Sequence, residues 1–205
     1  MKRLILFMVL LFIGLGIISC NSNKQKKEIK PDTVGLVVEN TISTDREYMY
    51  LHAGKNYRWF ETQVTLKNYL DEDSTSSDVE KIVSIFQTIN EVDTCSFDTY
   101  VYSFTHEGGK TEIVCVKDFW IEDLILDDQK INLTFKDAYN RFMMADCPKP
   151  HSRFCTLRRQ LGPIPANPQY IFGNIKEQVF VDATTGDVST VNPAFGFSRP
   201  LGEWP

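Results

Sequence analysis

The sequence predicts an α+β fold: antiparallel sheets, each packed by one helix, arranged as two helix-plus-hairpin units. Three observations predict it. Tyr57 to Leu66 alternates in the period of a strand and is rich in aromatic and β-branched residues. Two capping-box spacings, Ser77 with Glu80 and Thr134 with Asp137, each precede apolar residues at helical intervals. Glycine turns at Glu107-Gly108-Gly109 and Gly173-Asn174 separate paired β-rich runs.

Taken in order, Val34 to Val38 is an apolar, strand-like run, and Tyr48 to Leu51 leads to a turn at Ala53-Gly54. Tyr57 to Leu66 completes a hairpin, with Phe60, Thr62, Val64 and Leu66 on one side and Tyr57, Trp59, Glu61 and Gln63 on the other. The acidic, serine-rich stretch Asp71 to Ser77 is a break. A helix is expected over 78–90, with Val79, Ile82, Val83, Phe86 and Ile89 on one face. A hairpin follows, Ser96 to Phe104 and Thr111 to Val116. Ile121 to Leu126 reads as a further strand ending at Asp127-Asp128. A second helix is expected over 133–145, its apolar face made of Phe135, Ala138, Tyr139, Phe142 and Met143. Beyond a stretch holding five prolines from Pro148 to Pro168, Tyr170 to Phe172 and Gln178 to Asp182 make the last hairpin. These elements divide the folded part into an N-terminal unit, 34–130, and a second unit with a C-terminal tail, 131–205.

The second unit carries a resemblance. Thr134-Phe135-Lys136-Asp137-Ala138 opens a helix, and a closing strand reads Val179-Phe180-Val181-Asp182-Ala183-Thr184-Thr185-Gly186-Asp187-Val188. Over residues 131–191 this resembles a PepSY domain. The resemblance implies an extracytoplasmic binding or inhibitory module of the kind that accompanies secreted peptidases and envelope proteins. In physical terms the motif is architectural. Gly186 supplies a positive φ, and Asp182 and Thr185 can bond the amides of the turn.

The N-terminus carries an address. Lys2 and Arg3 precede an unbroken apolar run from Leu4 to Ile18, shorter than the roughly 20 residues a helix needs to cross a bilayer. Basic start, short apolar core and a small residue at the cut describe a secretory signal, residues 1–19. Ile17-Ile18-Ser19-Cys20 resembles the lipobox of bacterial lipoproteins, which implies a diacylglycerol on the Cys20 thiol, cleavage just before it and an acylated new amino terminus. The alternative is an ordinary signal with a chance cysteine. Several acyl chains make a stable anchor, at about 0.8 kcal/mol per buried methylene. Residues 20–33 read as a flexible tether, because this polar stretch buries too little to offset its ordering entropy. Its four lysines serve either anionic headgroups or plain solubility.

Without residues 1–19 the chain carries 20 basic and 27 acidic residues, a net charge of −7. From Pro31 onward it carries 16 basic and 26 acidic residues, or −10, which disfavours a duplex nucleic acid partner, since binding demands phosphate neutralisation.

No nucleophile elbow, zincin, P-loop or dinucleotide pattern is present, so the expected chemistry is neither catalytic nor cofactor-dependent. His52 and His106 lie beside glycine turns and read as solvated loop residues. Cys147-Pro-Lys-Pro-His151-Ser-Arg-Phe-Cys155 is the one constellation with metal-binding residue types, and it offers three ligands where a closed zinc site takes four. Cys147 and Cys155 can instead form a disulfide in an oxidising compartment, or remain free thiols, with His151 solvated. Cys95 and Cys115 are too far apart along a regular hairpin to bridge, and read as buried small hydrophobes or partners of other cysteines. The tail holds Phe195, Phe197 and Trp204, either packed over a sheet edge or exposed to a partner.

The expected protein is therefore a lipid-anchored, extracytoplasmic, non-catalytic module that binds a protein or peptide and modulates a peptidase as one role. The alternatives are a structural subunit of an envelope complex, or a hydrolase whose site the sequence does not advertise.

Overall fold

The computed structural model describes residues 37–72, 74–93, 96–126 and 130–196. Cys20, Cys95, the 1–19 signal and the residues from Phe197 onward lie outside them. The chain runs α1 (Val38–Ala53), β1 (Tyr57–Leu66), β2 (Val79–Asp93), β3 (Ser96–Glu107), β4 (Lys110–Lys117), β5 (Asp123–Leu124), α2 (Phe135–Met144), β6 (Phe154–Gln160), β7 (Gln169–Gly173), β8 (Gln178–Asp182) and β9 (Val188–Ser189).

The strands form a single antiparallel nine-stranded sheet in the order β4-β3-β2-β1-β6-β7-β8-β9, with β5 paired to β6. This corrects the expected α+β arrangement of two helix-plus-hairpin units: the architecture is mostly β, with two helices. The join is β1 with β6, where Val64 faces Cys155 and Glu61 faces Arg158. Both helices contribute to one apolar core on one face of the sheet. Phe86 and Phe104 meet edge-on there, and Phe142 stacks on Phe172 at 4.4 Å.

The helix expected over 78–90 is strand β2. Its residues recur at three- and four-residue spacings because both of its faces are covered, not because it is helical. Ile82, Ser84, Phe86 and Thr88 are buried, and so are Ile85 and Gln87 between them. A run that is buried on both sides loses its alternation and imitates a helical stripe. Ser77 and Glu80 cap nothing. Thr75 closes a turn on Asp78, its hydroxyl donating to Oδ2 at 2.7 Å, while Glu80 pairs with Arg153 at 3.0 Å.

The opposite correction applies to the first element. The strand-like run ending at Val38 and the stretch Tyr48 to Leu51 belong to helix α1 within the described residues. Its buried stripe is narrow, Val38, Ile42, Asp45 and Met49, and an aspartate stands in the middle of it. Apolar periodicity alone does not reveal such a helix. Gly54, at φ 58°, ends it, and its N–H donates to the Tyr50 carbonyl at 2.8 Å.

Helix α2 forms as expected and buries Phe135, Ala138, Tyr139 and Phe142, but Met143, also expected on its apolar face, is exposed. The Thr134 hydroxyl accepts from the Asp137 N–H at 3.1 Å, and the Asp137 carboxylate accepts from the Thr134 hydroxyl at 2.7 Å and from the Thr134 N–H at 3.4 Å. The Thr134 hydroxyl first, and then the Thr134 N–H, both donating to the carboxylate, hold the Asp137 carboxyl below its usual range. Both later hairpins also stand where the glycine turns put them. After β8, Asp182 Oδ1 accepts from the amides of Thr184 and Thr185 at 2.8 and 2.9 Å, and Gly186 has φ 81°. Burial raises the Asp182 carboxyl, but these amides, Asn167 and Gln169 outweigh it and leave it lowered.

Candidate functional site

Three polar constellations stand out from this frame, one on each face of the sheet and one at its end. The first is buried beneath α1. His106 on β3 was expected in solvent, yet it is 8% exposed, because β3 runs on to Glu107 and carries it under the helix. Its Nε2 lies 2.8 Å from Asp45 Oδ1, and its Nδ1 lies 3.0 Å from the Thr111 hydroxyl directly across the hairpin. Burial raises the Asp45 carboxyl, while His106 and Ser84 pull it back. Hydroxyl, imidazole and carboxylate stand in the order of a catalytic relay. All three, however, face the seam between α1 and the sheet, where their geometry ties the helix to β3.

The second lies on the other face, where β1, β5 and β6 meet. Trp59 shares the helix-side core with Val64 and Leu66, and its indole N–H donates to the Thr62 hydroxyl at 3.1 Å. A β-bulge between Trp59 and Glu61 makes this possible, so the strict alternation expected of β1 fails at Phe60. Glu61 lies on the face opposite Thr62 and Val64, as the alternation of β1 has it, away from the helices and across from Arg158, whose Nη1 is 3.7 Å from Glu61 Oε2. Asp123 on β5 buries its side chain against the same guanidinium, 3.6 Å from Nε. Burial pushes Glu61 up to about 8, aided by the Asp123 charge and hydrogen bond and opposed by Arg158. Asp123 is also raised, by burial first, against the pull of Arg158. Two acids crowded beside one cation hold a proton between them at neutral pH.

The third is a cavity of about 280 Å³ at the end of the sheet, between the last turns of α1, the start of β1 and the segment after β5. Arg46, Lys55 and Arg58 contribute cations, and Tyr50, Tyr57 and Trp59 contribute rings. Ile125 and Leu126 form the far wall, fixed by the Leu126 N–H donating to the Trp59 carbonyl at 2.9 Å. The Arg46 guanidinium lies 5.8 Å from the Trp59 ring centre.

Of the residues singled out in sequence, Cys147 and Cys155 are free thiols in the structure. Cys155 is fully buried on β6 within the apolar core, and that burial pushes its thiol well up. Cys147 is half-buried against the same core, with the Lys149 ammonium 3.7 Å from its sulfur. His151 is exposed, stacked on Tyr69 at 4.1 Å and 3.0 Å from Asp71. His52 is exposed on α1 and stacks on Tyr48. Cys115 is half-buried on β4. None of Glu61, Asp123, Arg158, Arg46, Lys55 or Arg58 was legible as a site. The available signal was Arg46, Lys55 and Arg58 gathered around Gly54 in an acidic chain.

No protein family matches the chain, and no curated protein and no solved structure does so either.

Proposed function

We propose that this protein is a non-catalytic binding module, held to a membrane by lipid on Cys20, that takes an extended segment of an envelope protein along strand β4. The observation that supports it is the sheet edge. Among the described residues β4 pairs with β3 alone, over eight residues from Lys110 to Lys117. Such an edge presents a row of unpaired main-chain donors and acceptors, and an added strand satisfies them. Val116 is 46% exposed and offers apolar contact to an incoming chain. The other edge, β9, is two residues long and offers far less. Among the described residues no helix is long and apolar enough to cross a membrane. The reading takes its lipid attachment from the lipobox-like Ile17-Ile18-Ser19-Cys20. A peptidase is the partner class suggested by the resemblance of residues 131–191 to PepSY domains.

A photoreactive side chain at Val116 of the lipidated protein tests this in its native envelope. The expected result is a discrete adduct that disappears when Val114→Lys is added, because a charge on the edge blocks strand addition. Equal adducts from exposed Ile175, remote from β4, would overturn the reading.

A further inference from the structure

We propose that a second copy of this chain pairs with strand β4, the two β4 strands running antiparallel about a two-fold axis at Val114, so that one sheet continues through both copies. Main-chain geometry is the first reason. Among the described residues β4 pairs with β3 alone, in unbroken register. Gly108 and Gly109, at φ 57° and 71°, make a two-residue turn that leaves Glu107 and Lys110 as a hydrogen-bonded pair. Antiparallel pairing alternates from there. Glu112, Val114 and Val116 bond β3, while Thr111, Ile113 and Lys117 aim their main-chain groups outward. An edge eight residues long with such a row turned out is one that folded proteins cover. Helix α1 packs against β1 and β2, inboard of it.

Charge is the second reason, and it selects the register. With Val114 on the axis, Lys110 of each copy faces Asp118 of the other, Glu112 faces Val116, and Ile113 faces Cys115. Lys110 and Asp118 are both exposed, and Lys110 has no ion-pair partner among the described residues. Opposite charges set directly across from each other stabilise a strand pair, and like charges destabilise it. Moving the axis to Cys115 sets Glu112 against Asp118. Moving it to Ile113 seats Glu112 beside Val114 and pairs no charges, and moving it to Glu112 sets that acid against itself.

Side-chain type is the third. On the axis two valines meet at a non-hydrogen-bonded site, where antiparallel strands approach to about 4.5 Å between Cα atoms and β-branched residues pack well. Val116, 46% exposed, is covered by the aliphatic stem of Glu112 from the other copy. The axis stands perpendicular to the sheet, so both copies keep their helices on one face of it. The proposal goes beyond the strand-addition reading at the same edge: the second copy is what a partner's segment displaces.

Sedimentation equilibrium of the full lipidated protein in density-matched detergent, over a range of protein concentrations, measures the association. The parent is expected to dimerise. Val114→Lys sets two ammonium groups on the axis and should leave monomer only. Lys110→Asp turns two attractions into repulsions and should weaken the dimer about tenfold, and Lys110→Asp combined with Asp118→Lys should restore it. Both charge variants should unfold with the parent, since Lys110 and Asp118 are exposed. A parent that stays monomeric, a dimer that survives Val114→Lys, or a charge exchange that restores nothing would overturn the proposal. The Val116 adduct keeps the two readings apart. A foreign adduct from a monomeric parent sinks this proposal alone, whereas a dimer whose one adduct is to its own copy supports it and sinks the strand-addition reading.

Discussion

Raising the pH from about 5 to about 9 strips the proton that Glu61 and Asp123 hold beside Arg158, and the folded state should weaken as it leaves. Glu61 lies at about 8 in the folded protein against an ordinary 4.5. Between those values the folded state binds more proton than the unfolded one, so stability is fully present below about 4.5 and declines as pH climbs through about 8. If the whole displacement were charged to folding it would amount to about 5 kcal/mol. Glu61 keeps 15% of its side chain in solvent and shares the proton with Asp123, so a loss of about 2–3 kcal/mol is expected. Glu61→Gln replaces the protonated acid by a neutral group of the same shape. It should match the parent near pH 5 and exceed it by about the same 2–3 kcal/mol near pH 9. Urea unfolding of both proteins at about pH 5, 7 and 9 measures this, and the difference between them cancels the histidines. A parent whose stability holds level or rises over this range relative to Glu61→Gln would refute the reasoning.

Other perturbations have equally definite outcomes. Phe142→Ala removes a ring that is fully buried and stacked on Phe172, and should cost about 3–5 kcal/mol in the same unfolding assay. His106→Ala leaves Asp45 buried without its imidazole and should cost about 3 kcal/mol or more, whereas the double change with Asp45→Ala should recover part of that loss. Cys155 in the core should resist alkylation in the folded protein while half-buried Cys147 reacts first, as mass spectrometry of timed samples will show. Cys20→Ala should leave the protein uncut or released from the membrane, scored by fractionation and the mass of the amino terminus.

What could be read in advance followed the strength of local signals. Thr134 with Asp137 marks the start of α2 because both side chains bond the first turn, and that interaction is written within four residues. Glycines 108 and 109 mark the β3–β4 turn for the same reason: the backbone conformation they adopt is local. Strand β2 was misread because the residue types of Val79 to Thr88 report burial, and two-sided burial erases the alternation that distinguishes strand from helix. Helix α1 was hidden by Asp45, whose place in the buried stripe depends on His106, 61 positions away. The site residues were still less legible. Glu61 meets Arg158 and Asp123 only because β6 pairs beside β1 and β5 pairs beside β6, neither of which has a signature in any short window.

The place of β1 inside the sheet also sets a schedule for the living chain. Its second neighbour, β6, is encoded roughly 90 residues later, so β1 keeps one edge open until that stretch of chain arrives. During that interval Val64 and Leu66 are covered on one side only, beside a β1–β2–β3–β4 ribbon that is otherwise able to form. The last closure is a long-range one, which makes it slow and leaves an aggregation-prone intermediate for a holding chaperone to recognise. A truncated chain ending before Phe154 would keep that edge open permanently, and its natural outcome is pairing with another copy of itself.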